Sequence, residues 1–141
     1  MKLRGSCHCQ KVKFELQTKH PYPYQRCYCS ICRKTQGGGG YAINIAGSSE
    51  TLKVTGKKFI SVYRARIGKK KSTGERSFCS VCGAALWLFD PTLPELIHPF
   101  ASAIDTKLPR SPESTHLMLE FAPEWVVPQV GQKDQCFALS G

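Results

Sequence analysis

Seven of the eight cysteines in this 141-residue chain fall into three tight groups. Cys7 and Cys9 form C-x-C, and Cys27, Cys29 and Cys32 form C-x-C-x-x-C. Cys79 and Cys82 form C-x-x-C, with Gly83 directly after, and Cys136 stands alone. Two thiolates three positions apart can grip one ion while nearby N–H groups point at the sulfurs. A glycine after the second accepts the tight turn without a Cβ clash. C-x-C on an extended chain puts both sulfurs on one face, α-carbons roughly 6–7 Å apart. The backbone between them is too short for a relaxed disulfide. Cysteine is roughly 6% of the chain, below the roughly 8–10% of a small disulfide scaffold. A redox C-x-x-C pair needs a βαβ context that this sequence lacks.

The compartment bears on that reading. The N-terminal MKLRGSCHCQ has basic residues but no apolar h-region, and neither end carries a lipidation motif. The longest apolar run, Ala84 to Phe89, is far short of the roughly 18 residues that span a bilayer. The expectation is a cytoplasmic protein without membrane association, in a reducing environment where clustered cysteines bind metal. Apolar residues are 41% of the sequence, enough to fold. The length suits one domain over residues 1–141, with no linker or internal repeat.

The fold class expected is mainly β with short helical turns. Lys11 to Leu16 alternates, with Val12, Phe14 and Leu16 on one face. Tyr41, Ile43 and Ile45 repeat the period of two, and Phe59 to Tyr63 is β-branched and aromatic. Ala84 to Phe89 has strand length, and Thr115 to Phe121 alternates. The best helical segment is one or two turns at Ser30 to Gln36. Gly37 to Gly40, Gly47 to Glu50 and Gly68 to Gly74 read as turns or loops, as do the proline-rich stretches 91–99 and 108–114.

Counting ligands gives a chemical expectation. A closed structural zinc site takes four ligands, and a catalytic one takes three and keeps a position open. Seven clustered cysteines divide as four from two pairs and three from Cys27, Cys29 and Cys32. A fourth ligand from His8, His20, His98, His116 or Cys136 would close the second site. Three thiolates leave a zinc site at net −1, a poor generator of hydroxide but a good host for a fourth, exogenous thiol. Such a thiol would ionise well below its free pKa of roughly 8.5. The chemistry expected is thiol activation or thiol-adduct handling.

The residues also carry a resemblance. GSCHC at Gly5 to Cys9, KVKFEL at Lys11 to Leu16, CYCSICRK at Cys27 to Lys34 and FCSVCGAAL at Phe78 to Leu86 resemble the glutathione-dependent formaldehyde-activating enzyme family, which includes centromere protein V. SAID at Ser102 to Asp105, then Pro112, His116 and Trp125, extend the likeness over nearly the whole chain. The resemblance implies an Mss4-like zinc-binding β fold, the GFA domain, with two zinc ions. It implies that Cys7, Cys9, Cys79 and Cys82 hold a structural zinc. Cys27, Cys29 and Cys32 would hold the second, open, catalytic one. The implied activity is that of a carbon–sulfur lyase joining glutathione and formaldehyde into S-hydroxymethylglutathione, or releasing them. Two departures flank the metal clusters: Gln10 stands where a glycine is common, and Gly37 to Gly40 replaces a more varied segment.

The formal net charge of +10, from 20 Lys and Arg against 10 Asp and Glu, suits a solvated basic surface or, on the sharper reading, an anionic partner such as glutathione or nucleic acid. Seven thiolates and two zinc ions would lower it to about +7. Arg33 and Lys34 directly follow the three-cysteine cluster and could steer a substrate carboxylate. Lys57 with Lys58, and Lys69 to Lys71, suit either a solvated surface or nucleic acid. GKKKST at Gly68 to Thr73 lacks the phosphate-loop order, and no helical pattern follows it. The alternative function is a non-catalytic zinc-stabilised module that binds nucleic acid or a protein through a basic face, with affinity falling steeply in salt.

Overall fold

A computed structural model describes residues 1–36 and 38–140. Gly37, the first of the four consecutive glycines, lies outside the described residues. The strands are β1 (Lys2–Ser6), β2 (Lys13–Gln17), β3 (Tyr24–Cys27), β4 (Ala42–Asn44), β5 (Gly47–Ser48), β6 (Lys53–Thr55) and β7 (Ile60–Tyr63). They continue as β8 (Arg66–Ile67), β9 (Lys70–Lys71), β10 (Glu75–Cys79), β11 (Ala85–Phe89), β12 (Leu96–Pro99), β13 (Ser114–Leu117) and β14 (Gln135–Cys136). One α-helix, α1 (Ser30–Gln36), covers the segment expected to be helical.

The strands form three main sheets, ordered β1-β2-β6, β5-β12-β11-β10-β7 and β14-β13-β3-β4, with a small β8-β9 hairpin. The fold class is mainly β, as expected. Alternation along 12–16 works as the sequence implies: Val12, Phe14 and Leu16 are buried while Lys11 and Lys13 face solvent. They meet Leu3, Ile45, Leu86, Trp87 and Ile97 in the main core, where Phe14 lies edge-on to Trp87 at 5.1 Å between ring centroids.

Other local readings shift. Around β4 it is Ala42 and Asn44 that are buried, and Tyr41 and Ile43 only half-buried. Ala42 packs there against Cys27 and Cys32. The alternation at 115–121 stops at Leu117, because Met118 turns left-handed (φ +60) and starts a 3₁₀ turn over Leu119–Phe121. Gly68 (φ +63) folds the basic loop into the β8-β9 hairpin, and Gly47–Ser48 pairs as an edge strand with β12. No helix among the described residues is long and apolar enough to cross a membrane.

Two strands position the cysteine groups. Strand β3 runs parallel to β13, with Cys27 in register with Leu117. Strand β10 is bracketed by β7 and β11, and a register shift between Ser77 and Phe78 bends it just before Cys79.

Candidate metal centre

The first group of sulfurs is built from two similar turns. After β1, the Cys7 N–H donates to Val12 O at 3.0 Å; at the end of β10, the Cys79 N–H donates to Ala84 O at 2.9 Å. Each turn needs one left-handed residue. In the second it is Gly83 (φ +78), the glycine that the C-x-x-C-G pattern singles out. In the first it is Gln10 (φ +68), standing where the family resemblance expects glycine. Its amide donates to Cys7 O at 3.0 Å and to Ser6 Oγ at 3.2 Å, which offsets part of the backbone cost.

These turns bring Cys7, Cys9, Cys79 and Cys82 together, with all four Sγ atoms within 4.8 Å of one another. Cys7 and Cys9 Sγ are 3.6 Å apart, and Cys9 and Cys79 Sγ 3.8 Å. Zinc–sulfur bonds of about 2.3 Å in a tetrahedron put sulfurs about 3.8 Å apart, so this donor set fits the ion. Backbone N–H groups aim at the sulfurs, as Val12 N does toward Cys7 Sγ at 3.3 Å. The N–H groups of Cys9 and Ala84 pull the Cys82 thiol down to about 6.

The second group holds Cys27, Cys29 and Cys32, again with all Sγ atoms within 4.8 Å. Cys27 ends β3, Cys29 precedes α1, and Cys32 lies in the first turn of α1. The Cys32 N–H donates to Cys29 Sγ at 3.3 Å and the Arg33 N–H to Cys29 O at 3.0 Å, closing the loop onto the helix. Contacts from Cys27 and Cys32 hold the Cys29 thiol down to about 2, and the same crowding forces Cys27 up. One sulfur thus carries charge at its neighbours' expense. A soft divalent cation would let all three ionise, so this donor set also fits zinc.

Among the described residues no fourth His, Cys, Asp or Glu joins that trio. His20 stacks on Tyr22, His98 is in β12, and Cys136 is exposed on β14. His8 is exposed beside the first group. His116 is fully buried and engaged elsewhere. Its Nδ1 meets Tyr28 Oη at 2.8 Å and its Nε2 meets Asp134 Oδ2 at 2.8 Å. Asp134 also accepts from the N–H groups of Gly131 and Ser114, and these contacts, Gly131 first and then His116, hold its carboxyl down to about 2. Burial raises the Tyr28 pKa, so the phenol keeps its proton. Tyr28 sits between Cys27 and Cys29, so this relay pins the cysteine loop to β13.

Of the two cationic residues expected near the trio, Arg33 is half-buried and Lys34 exposed, both on α1. A third cation reaches the trio: Arg76 of β10 places Nη2 3.5 Å from Cys32 Sγ. Sequence reading missed it because Arg76 lies 44 positions from Cys32, in a segment with no cysteine motif of its own before Cys79. Asp134 was missed for a similar reason, since only tertiary pairing of β13 with β14 brings it to His116.

The chain is similar to known proteins along most of its length. The family model described as "glutathione-dependent formaldehyde-activating enzyme" matches residues 2–119. A protein of Halomonas elongata, provisionally named as an enzyme of that kind, is 59% identical over 138 residues, covering 98% of this chain and 88% of its own length. The crystal structure of a Rhodobacter sphaeroides protein superposes with a TM-score of 0.60 at 28% identity, covering 78% of this chain and 93% of that one.

Proposed function

Since the chain belongs to the glutathione-dependent formaldehyde-activating enzyme family, we propose that it acts as a zinc-dependent carbon–sulfur lyase. Its substrates in this reading are glutathione, or a similar small thiol, and formaldehyde or another small carbonyl compound. Two zinc ions per chain belong to the proposal: a structural one at Cys7, Cys9, Cys79 and Cys82, and a catalytic one at Cys27, Cys29 and Cys32. The observation that supports it most is the trio of sulfurs without a fourth protein donor among the described residues.

A zinc ion there would lower the pKa of a visiting thiol below its free value of about 8.5. The chain's own residues do the rest. The end of β3 and the start of α1 fix the three sulfurs, and the Tyr28–His116–Asp134 relay holds the loop between them. Arg33 and Lys34 supply positive charge for a substrate carboxylate. In the joining direction a C–S bond forms and the carbonyl π pair moves to oxygen. That oxygen takes up the proton the thiol gave up. Release breaks the same bond and returns the proton. The proposal places one zinc-binding domain over the chain in a reducing, cytoplasmic location, where the seven zinc-ligating cysteines stay available to the metal.

The test is the rate of S-hydroxymethylglutathione formation above the spontaneous rate, followed by NMR with zinc content measured alongside. The expected result is acceleration by protein carrying two zinc ions. Cys29→Ser should hold one zinc, keep its far-UV spectrum and lose the acceleration. Two-zinc protein that gives no acceleration, or Cys29→Ser protein that keeps it with one zinc, would overturn the proposal.

A further inference from the structure

The elements around the second cysteine trio carry nitrogen donors with nothing to donate to. Among the described residues, Arg26 Nε, Arg33 Nε, Gln36 Nε2 and Arg76 Nη1 are buried and unpartnered. They sit on β3, α1 and β10, the elements that frame Cys27, Cys29 and Cys32. Buried donors are rarely left unpaired, which turns attention to the one that lies beside the sulfurs.

Arg76 is the one of these that touches a sulfur. Its Nη2 lies 3.5 Å from Cys32 Sγ. The same residue lines a cavity of about 380 Å³ with Thr35, Tyr63, Phe78 and Phe100. A second cavity, of about 430 Å³, shares Thr35, Gly83 and Ala85 with the first and adds Gln36 and Asp105. The two adjoin, and each is of the size that takes a small organic ligand.

We propose that Arg76 recognises the anionic group of the thiol substrate. Nη2 stays on Cys32, and the part of the guanidinium that lines the 380 Å³ cavity meets a ligand carboxylate there. One planar group then measures the distance between the ligand's anion and the sulfur cluster, a task suited to the rigid fork of arginine and not to the point charge of lysine. The ligand class is a small thiol bearing a carboxylate. This inference rests on the reading that the second cluster receives a thiol.

The experiment is calorimetric titration of the zinc-loaded protein with 3-mercaptopropionate and with 2-mercaptoethanol, which differ by the carboxylate. The readout is the ratio of the two affinities, with zinc content checked in every variant. Wild-type protein is expected to prefer 3-mercaptopropionate by about 10- to 100-fold, the worth of a buried charge-assisted hydrogen bond. Arg76→Met should bring the ratio near one. If Arg76→Met fails to fold or loses zinc, Arg76→Lys carries the test and should lose at least several-fold of the preference. A wild-type ratio near one, or an undiminished ratio in the variant that holds zinc, overturns the proposal. Titration with glutathione separates it from the underlying reading. Glutathione failing to bind while the mercaptopropionate preference stands overturns glutathione as substrate and leaves Arg76 in place. Glutathione binding with no role for Arg76 overturns Arg76 alone.

Discussion

At the scale of single residues, the Asp134 carboxylate has the clearest pH signature. Its carboxyl is held down to about 2 in the fold, against about 3.9 in an unfolded chain. A depressed carboxyl stabilises the fold fully above the unfolded value and loses that contribution as pH falls through the folded one. The window is therefore about pH 4 down to about pH 2. Urea unfolding of wild type and Asp134→Asn across pH 5 to 2.5 should show the two curves converging in acid, and parallel curves would refute the role. Asp134→Ala at neutral pH should cost roughly 2–3 kcal/mol, since it strands the buried His116 and two backbone N–H groups. Two of the left-handed glycines give a graded comparison. Gly83 (φ +78) has open space around a would-be Cβ, so Gly83→Ala should cost only about 1–2 kcal/mol of backbone strain. At Gly40 (φ +94) the added methyl runs into the Val126 side chain and meets the Trp125 ring at 3.3 Å, so Gly40→Ala should cost more. Melting temperatures of the two variants rank them.

At the scale of elements, the stretch beyond the family match has a measurable role. Residues 120–140 return along β13. Met118 N donates to Leu139 O, Leu119 N to Phe137 O and Phe137 N to His116 O, each at 2.8–3.2 Å. Removing 123–141 should weaken retention of the second zinc before the first, read as staged metal loss to a chelator of increasing strength. Simultaneous loss of both ions would refute it. How far such elements can be read from the chain depends on where their partners lie. Helix α1 and the alternating 12–16 segment follow from neighbouring residues, and both were legible. The C-x-x-C-G turn was legible too, because its glycine and sulfurs are adjacent. The face of β4 was not, because Ala42 packs on Cys27 and Cys32, which lie 15 and 10 positions away. Nor was the Tyr28–His116–Asp134 relay, whose members are 88 and 18 positions apart. The sulfur groups could be counted from the sequence, but the meeting of the first and last pairs came from family likeness and is seen as geometry only in the fold.

At the scale of the whole molecule, the first sulfur group stitches distant parts of the chain. Cys9 and Cys79 are 70 positions apart, and they join the β1-β2 hairpin to the β10-β11 turn. Closing so long a loop removes much entropy from the unfolded chain, whereas the second group closes a loop of only a few residues. Cys82→Ser should therefore lower the melting temperature far more than Cys29→Ser, and equal losses in calorimetry would contradict that. The bend in β10 gives this hierarchy a functional edge. Three residues of strand, roughly 10 Å, separate Arg76 beside one trio from Cys79 within the other quartet. A single rod thus has a sensor at one end and an anchor at the other. Loosening the anchor would swing the sensor, and substrate discrimination would blur while the reactive sulfurs themselves stayed intact.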